Sequence, residues 1–368
     1  FEREYGIEVE LRSSSAASQV LAAETKAGTF PDMVVMSGPG ELSGYADQLI
    51  SLKEVIDHPE HFPSPWTYSD DKGDFYWVPV KADVKSLVWY PAARRGELRA
   101  LAGDPQRWCL GMRSGATSGW PGTDWVEDIL LQQAGPEVYE RLATGRQPWN
   151  SPQVTEAFTT WDRMVDAGGD TVDHALSTYY GKAEYGVDDP EPTRKVADGS
   201  NPQCRLEHAG AFVRTSGAWQ RADAAYVPSA ALIPGARQGS TTWEVSGDLA
   251  ALLRSTPQSR AFIEYMATRD VQRTWNLVQR GFSPSSEVKL TAYADDPTGK
   301  DIAEHLRDEH ATHCWDASDA MPPVMRDAFT QATLEFLADP GRLTELLDTL
   351  EEIRKDIGKD GRWLPSVC

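Results

Sequence analysis

The segment from Gly119 to Asp128 concentrates aromatic and carboxylate side chains around one turn of the chain. It reads Gly-Trp-Pro-Gly-Thr-Asp-Trp-Val-Glu-Asp, and its Pro-Gly step lies where a helix is expected to begin. Proline is favoured in the first turn of a helix, and Thr123 or Asp124 is placed to cap the free amides there. Indole faces beside N–H donors and carboxylate acceptors suit a sugar, which offers C–H faces for stacking and hydroxyl groups for hydrogen bonding. The alternative is a helix start buried beneath core tryptophans.

A second polar group follows the strand predicted over Tyr76–Val80. Lys81, Asp83 and Lys85 alternate with small or apolar residues, so their side chains share one face of an extended segment. This face is either the solvated side of an edge strand or the wall of a cleft. Further along the chain, Trp219 follows a glycine turn, where a tryptophan of the core would be awkward.

Two loops place small and acidic residues at the ends of predicted strands. Ser37-Gly-Pro-Gly40 follows the strand predicted over Met33–Met36, and it lacks both the length and the lysine of a phosphate-binding loop. Its glycines would allow a ligand to approach the backbone closely. Ser246-Gly-Asp248 follows the strand predicted over Thr242–Val245 in the same way.

The elements that must position these residues alternate along the chain. A strand over 7–11, a helix over about Ala16–Ala27 and the strand Met33–Met36 form a β-α-β pattern, which predicts a parallel sheet with helices on its faces. Ligands of such sheets bind beyond the carboxyl ends of the strands. Further predicted elements are helices around Glu41–Asp47, Gln258–Thr268, Val271–Gln279 and Leu343–Asp356, and a polar loop over Tyr185–Pro202.

Composition limits the class of protein. The chain has 368 residues, enough for two domains, with 36 basic against 56 acidic residues and a net charge of −20. This charge argues against nucleic acid or an anionic membrane as the main partner and suits a neutral or cationic ligand. No apolar run approaches the roughly 18 residues of a membrane span. The motifs of serine hydrolases, zinc proteases and dinucleotide-binding enzymes are missing from the sequence.

The four cysteines are Cys109, Cys204, Cys314 and Cys368, with no Cys-x-x-Cys pair of the kind that binds zinc. We interpret them as two disulfides of an exported protein rather than as free buried thiols, and three pairings are open. The chain begins at Phe1 inside what looks like a helix end. We therefore expect residues upstream, including an export signal and a first strand.

Taken in order, several passages resemble the bacterial extracellular solute-binding proteins of the large carbohydrate-binding type (family 1), the receptor subunits of ABC sugar importers. Two of them, 108–115 and 119–128, resemble a subgroup associated with α-glucosides and related oligosaccharides. The loop after Tyr90 departs from the family, because it is shorter and lacks the usual T-W-x-E-L helix start. The other passages that carry the resemblance are 28–35, 78–90, 208–219, 245–248 and 262–284.

The resemblance implies a two-lobe α/β fold of the class II-like periplasmic-binding-protein type. Each lobe would be a mainly parallel sheet flanked by helices, and hinge strands would join the lobes, so that ligand binding closes the cleft. Crossings are expected near Ser86–Tyr90, Trp243–Gly247 and Trp315–Pro323. Lobe one would comprise 1–87 and 246–314, and lobe two 88–245 and 315–368. On this division the pairings Cys109–Cys204 and Cys314–Cys368 would leave the hinge free to move.

The resemblance also implies a set of ligand-binding residues and no catalytic ones. Trp120 and Trp219 would stack on sugar faces, while Asp83, Asp124 and Asp248 would accept hydrogen bonds from hydroxyl groups. The other members of the expected site are Ser37, Gly38, Gly40, Thr123 and Gly247, followed by Phe282, Asp316 and Asp319 from loops near the hinge.

The expected partners are a small carbohydrate, namely an oligosaccharide or a glucoside, and the membrane permease of an ABC transporter. We expect a monomer that binds no nucleic acid, metal or cofactor. We also expect export, to the periplasm or to a lipid anchor on the outer face of the cytoplasmic membrane.

Two alternatives remain open. A secreted glycoside hydrolase would need two of these carboxylates at a separation of about 5–10 Å, one of them with a raised pKa. A binder of a non-sugar solute such as a polyamine would fit the acidic composition. His310 and His313 are spaced as a metal pair on a helix or as part of a solvated helix end.

Overall fold

The computed structural model describes residues 1–14, 16–70, 72–182, 204–215, 219, 223–358 and 362–368. Its helices are α1 (Glu2–Tyr5), α2 (Ala17–Ala27), α3 (Pro39–Ser43), α4 (Leu98–Ala102), α5 (Trp120–Ala134), α6 (Pro136–Ala143), α7 (Pro152–Val165), α8 (Asp170–Ser177), α9 (Pro257–Ala267), α10 (Arg269–Val278), α11 (Pro297–His305), α12 (Ala317–Ala320), α13 (Pro323–Ala338) and α14 (Leu343–Ile357). The predicted loop Tyr185–Pro202 lies outside the described residues.

The strands form two separate sheets. They are β1 (Met33–Met36), β2 (Val78–Val84), β3 (Leu87–Pro91), β4 (Glu207–His208), β5 (Ala224–Pro228), β6 (Thr242–Leu252) and β7 (Thr312–Trp315). The first sheet has the order β1-β6-β2 with β7 beside β6, and the second has the order β4-β3-β5.

The prediction of mainly parallel sheets is wrong for the described strands. Strand β6 runs antiparallel to both β1 and β2, β3 runs antiparallel to both of its neighbours, and only the β6–β7 pair is parallel. Because β1 and β2 both oppose β6, they share one direction, as a β-α-β order requires. The sequence pattern missed that a strand from the distant part of the chain inserts between them.

Two predicted strands have different bounds in the structure. Residues 7–11 form no strand, and the Val9 amide instead donates to the Glu2 carboxylate at 2.8 Å. Alternating residues favour a strand only where a neighbouring strand can pair with its backbone, and no described strand does so here. Strand β6, predicted to end at Val245, continues to Leu252, so Gly247 and Asp248 lie within it opposite Ala82 and Lys81.

The helices agree better with the sequence pattern. Helices α2, α9, α10 and α14 begin and end within about two residues of the predicted bounds. Helix α3 begins earlier than expected, because Pro39 occupies its first turn, and it ends before Gly44.

Both cysteine pairings expected from the resemblance are confirmed. The sulfur atoms of Cys109 and Cys204 bond to each other, as do those of Cys314 and Cys368. The first disulfide joins the segment before α5 to the segment before β4, and the second joins β7 to the end of the chain.

The chain changes sheets between Val84 and Leu87, where Lys85 and Ser86 alone join β2 to β3, and again between Pro228 and Thr242. The second change therefore precedes the predicted crossing at Trp243–Gly247. After β7 the chain enters α12 and α13, and α13 packs against α5, α8 and α14. Among the described residues, no helix combines the length and the apolar character needed to cross a membrane.

Candidate ligand-binding cleft

Three aromatic rings from separate segments meet at the start of α5. The half-buried ring of Trp120 has its centroid 5.0 Å from that of Tyr180 and 5.9 Å from that of Phe212. They border a narrow cleft with a cavity volume of about 20 Å³. Its polar lining comes from Asp124, Glu207 and His208. The sequence therefore identified Trp120 and Asp124 as members of a cleft, and it missed Tyr180, Phe212 and Glu207.

Gly119 sets the position of the Trp120 ring. It precedes α5 with φ 102°, and an added Cβ would lie 2.7 Å from the Thr330 carbonyl oxygen of α13. The prediction that Thr123 or Asp124 caps the helix is wrong, because the helix begins at Trp120 and both residues lie in its second turn. The Thr123 hydroxyl donates instead to the Trp120 carbonyl oxygen at 2.9 Å.

The buried side chain of Lys85 connects the cleft to the sheet crossings. Its Nζ lies 3.0 Å from Oδ1 of Asp124, 2.5 Å from Oδ2 of Asp316 and 5.3 Å from the centroid of the Trp120 ring. Burial alone would lower the pKa of Lys85, but the charges of Asp124 and Asp316 outweigh it and raise that pKa well above its usual value. The ammonium group thus stays charged and links β2, α5 and the segment after β7.

Asp316 pairs with Lys85 and also caps the start of α12. Its Oδ1 accepts from the Asp319 amide and the Ser318 hydroxyl, both at 2.8 Å. Burial would raise the pKa of Asp316, yet Lys85 and these hydrogen bonds hold it below its usual value. The pKa of Asp124 shifts in the opposite direction. In the described structure, its carboxylate accepts a hydrogen bond from Lys85 alone. Burial and the nearby Asp316 raise its pKa to about 7.

Two buried glutamates complete what we call the hinge cluster, defined as Lys85, Asp124, Glu127, Glu244 and Asp316. Glu127 accepts from the Ala317 and Ser318 amides at 2.5 and 3.1 Å. Neither carboxylate oxygen of Glu244 has a hydrogen-bond partner in the described structure.

Burial and the charges of Glu127 and Asp316 raise the pKa of Glu244 well above its usual value. Oxygen atoms of Asp124, Glu244 and Asp316 lie within 4.8 Å of one another. A cation could bridge oxygens at that spacing, and the Lys85 ammonium already contacts two of these carboxylates.

The predicted loop Ser37–Gly40 contacts protein rather than open space. Added Cβ atoms on Gly38 and Gly40 would lie 2.3 and 2.1 Å from the carbonyl oxygens of Asp319 and Met321. The glycines therefore allow another backbone segment to approach, whereas the sequence suggested that they admit a ligand. Ser37 itself is exposed.

The predicted residues on β2 and β6 serve mainly structural contacts. Oδ1 of Asp83 accepts from the Val84 and Ala211 amides at 2.7 and 2.8 Å, which ties β2 to the turn that carries Phe212. An added Cβ on Gly247 would lie 2.2 Å from the Lys81 carbonyl oxygen. Burial raises the pKa of Asp248, which is paired with Lys81 across the strands.

Two predicted aromatic contacts lie in the core and away from the cleft. Trp219 is 4% exposed, packs beside Trp89 and donates its Nε1–H to Glu207, so the expectation that a core position would be awkward there is wrong. Phe282 is 2% exposed, and its ring lies 5.3 Å from the Arg214 guanidinium.

Two further expectations concern the last third of the chain. Asp319 is half-buried beside the hinge cluster, and burial together with Asp316 raises its pKa well above the usual value. His313 lies on β7, where its Nε2 contacts the His305 carbonyl oxygen at 2.8 Å, so His310 and His313 are not spaced along a helix.

Comparison with known proteins gives a consistent result. The model of the family "Bacterial extracellular solute-binding protein" matches residues 1–301. The alpha-glucosides-binding periplasmic protein AglE of Rhizobium meliloti (strain 1021) is 28% identical over 373 residues, covering 90% of this chain and 77% of that protein.

The osmoprotective compounds-binding protein GgtB of Synechocystis sp. (strain ATCC 27184 / PCC 6803 / Kazusa) is 28% identical over 387 residues, covering 94% of this chain and 85% of that protein. The structure of the bacterial solute receptor AcbH superposes with a TM-score of 0.74 at 15% identity, covering 98% and 93% of the two chains, so the fold is shared. With the family model matching well over half of its residues, the chain belongs to the bacterial extracellular solute-binding proteins.

Proposed function

We propose that this protein captures a carbohydrate, an oligosaccharide or a glucoside, in the cleft beside Trp120 and delivers it to the permease of an ABC transporter. The observation that carries the proposal is the partly exposed ring of Trp120, held between Tyr180 and Phe212 and next to the carboxylate of Asp124. Aromatic faces with adjacent acceptors match the alternating C–H faces and hydroxyl groups of a pyranose ring.

The two kinds of contact contribute differently. Stacking on Trp120 removes apolar area from water with little loss of side-chain entropy, because its contacts with Tyr180 and Phe212 already restrain the ring. Hydrogen bonds from sugar hydroxyls to a charged group contribute about 1.5–3 kcal/mol each. The positive charge of Lys85 partly compensates the negative charge of the Asp124 carboxylate. The cleft should therefore favour a neutral hydroxyl donor over a cationic ligand such as a polyamine.

One curated relative and one solved structure support the same class of ligand. AglE is named for binding alpha-glucosides, and the AcbH structure is described as preferring b-D-galactopyranose. We propose an exported, monomeric receptor, located in the periplasm or on a lipid anchor. Catalysis is not part of this proposal, and incubation with oligosaccharides should leave them uncleaved.

The lobe division at 87/88, 245/246 and 314/315 belongs to the same proposal. Of the residues predicted to touch ligand, Trp120 and Asp124 line the cleft, and we propose direct contact for these two. Thr123, Asp83 and Asp316 are proposed as positioning residues, since each hydrogen-bonds a segment that shapes the cleft.

The Trp120→Ala variant tests the proposal. We expect it to weaken sugar binding at least tenfold in calorimetry, after a thermal-shift screen of mono- and oligosaccharides has identified a ligand. Trp275→Ala is the matched control, because that tryptophan is 51% exposed on α10, away from the cleft. Wild-type affinity in Trp120→Ala, or binding of spermidine and of no sugar, would contradict the proposal.

A further inference from the structure

The loop between α3 and β2 carries a cluster of imidazole and carboxylate groups that the cleft does not use. His58, Glu60 and His61 each offer one ligand atom, and these three atoms lie within 4.8 Å of one another. The side chains of His58 and Glu60 are 65% and 66% exposed, and that of His61 is 32% exposed, so a solvated ion can reach them.

Local backbone geometry brings the two imidazoles together. Pro59 opens a short 3₁₀ turn, Pro59–His61, directly after His58. Three residues per turn place side chains three positions apart one above the other. The rings of His58 and His61 accordingly stack with centroids 5.1 Å apart, and Nδ1 of His58 lies 3.0 Å from Oε1 of Glu60.

A fourth group comes from a distant segment. Oε2 of Glu287 lies 3.3 Å from Nδ1 of His61, and the amide of the adjacent Ser286 donates to the His61 carbonyl oxygen at 2.8 Å. A carboxylate on one nitrogen of an imidazole fixes the orientation of the ring and increases its basicity as a ligand. Glu287 is therefore placed as a positioning residue for His61.

We propose that His58, Glu60 and His61 bind a divalent transition metal ion of the Zn²⁺ type, with Glu287 orienting His61 and water completing the coordination. Two imidazoles and one carboxylate are a ligand set that zinc and cobalt accept, whereas Ca²⁺ and Mg²⁺ prefer oxygen ligands alone. Zinc–ligand bonds of about 2.0–2.1 Å separate tetrahedral ligand atoms by about 3.3 Å. The His58–Glu60 pair already approaches that spacing.

The ion would act on the loop that carries its ligands. Leu52, Val55, Ile56 and Phe62 anchor this loop in a small apolar cluster with Ile263 of α9. Metal on His58, Glu60 and His61 would hold the turn in one conformation, and Glu287 and Ser286 already join that turn to the next segment. Because Glu287 orients His61 only in the folded chain, the folded state would bind the ion more tightly, and binding would stabilise the protein by mass action.

The test uses untagged, chelator-treated full chain with ZnCl₂ in calorimetry and CoCl₂ in visible absorption. We expect one equivalent of metal, tetrahedral d–d bands with cobalt and no response to CaCl₂. His58→Ala/His61→Ala should weaken Zn²⁺ binding at least tenfold, and Glu287→Gln by about 10- to 100-fold with altered cobalt bands. His174→Ala/His310→Ala is the control, since both of those histidines are exposed elsewhere.

Absence of cobalt bands in the wild-type protein would overturn the proposal. Equal Zn²⁺ affinity in wild type and in His58→Ala/His61→Ala would overturn it too. The metal-free melting temperatures of all variants identify any loss that comes from misfolding rather than from missing ligands.

Discussion

At the scale of single residues, the hinge cluster depends on one cation among several buried carboxyl groups. Lys85 compensates Asp124 and Asp316 directly, while Glu244 has no hydrogen-bond partner in the described structure. An uncompensated buried charge costs several kcal/mol, so the protein is more stable with a proton on Glu244 than without it.

Glu244→Gln should therefore change stability in a pH-dependent way. The pKa of Glu244 is higher in the folded state than in the unfolded state. The stability that this group contributes is therefore fully present below the unfolded-state pKa and is lost as the pH rises through the folded-state pKa. Relative to wild type, the free energy of unfolding of Glu244→Gln should rise between pH 6 and 8. Between the unfolded-state and folded-state pKa values of Glu244, this difference in the free energy of unfolding grows by about 1.4 kcal/mol for each pH unit. Urea denaturation measures it.

Glu351→Gln is the control for this pH dependence. Its hydrogen bonds with Arg354 lower the pKa of Glu351 to about 2, so both of its protonation equilibria lie below pH 6. The stability difference between Glu351→Gln and wild type should stay constant from pH 6 to 8. A flat difference for Glu244→Gln as well would show that Glu244 ionises freely.

Single residues also show where sequence reasoning reaches its limit. Trp120 was singled out from the sequence because proline and glycine mark a helix start around it, and its ring lines the cleft. Trp219 was expected to be accessible, yet its indole is buried and bonded to Glu207, which lies on a strand twelve residues earlier in the chain. A buried indole and a stacking platform have the same local sequence, and only the packing partners distinguish them.

At the scale of elements, the close contact between α5 and α13 fixes the backbone turn directly before Trp120. Thr333 of α13 donates to the Gly119 carbonyl oxygen at 3.2 Å, and Gly119 has no space for a side chain. The same contact explains why the helix begins without a side-chain cap.

Gly119→Ala should therefore be destabilising and should weaken sugar binding. A left-handed backbone costs an alanine about 1–2 kcal/mol, and the clash with Thr330 and Leu334 adds about 1–3 kcal/mol. Gly115→Ala is a matched control, since Gly115 has φ 62° but no atom within 4 Å of an added Cβ. Equal losses in chemical denaturation for both variants would show that α13 does not restrain this turn.

Elements with a local cause were predictable from sequence, and those with a distant cause were not. Helix α2 ends before Gly28, and α9 begins at Pro257 after the capping residue Thr256, so the sequence itself marks both positions. Strand β6 extends past its predicted end because β1 and β2 pair with it on either side. The candidate strand 7–11 has no such partner among the described residues, and local alternation was therefore insufficient to form it.

At the scale of the whole molecule, the short connection Lys85–Ser86 and contacts between α3 and the α12–α13 segment join the proposed lobes. Lys85 and Ser86 alone join β2 to β3. Arg326 of α13 pairs with Glu41 of α3, and the glycines before and within α3 contact α12. Short connections permit bending, while these contacts would form only when the lobes are close.

Neither disulfide should oppose that motion. Cys109–Cys204 lies within the proposed lobe two, and Cys314–Cys368 holds the end of the chain against β7. The fold around them was predictable mainly from the order of the resembling passages. The sheet directions were not, because they depend on how distant segments return.

The central claim is that a carbohydrate binds in the Trp120 cleft, whose lining residues all lie in the proposed lobe two, and that lobe one closes over it. Small-angle X-ray scattering of the wild-type protein with and without a saturating sugar tests it most directly, with Trp120→Ala as the control. We expect the radius of gyration to fall on addition of sugar in the wild type and to fall less in Trp120→Ala at the lowest sugar concentration that saturates the wild type. An unchanged radius of gyration in the wild type, with calorimetry showing the sites filled, would contradict the account.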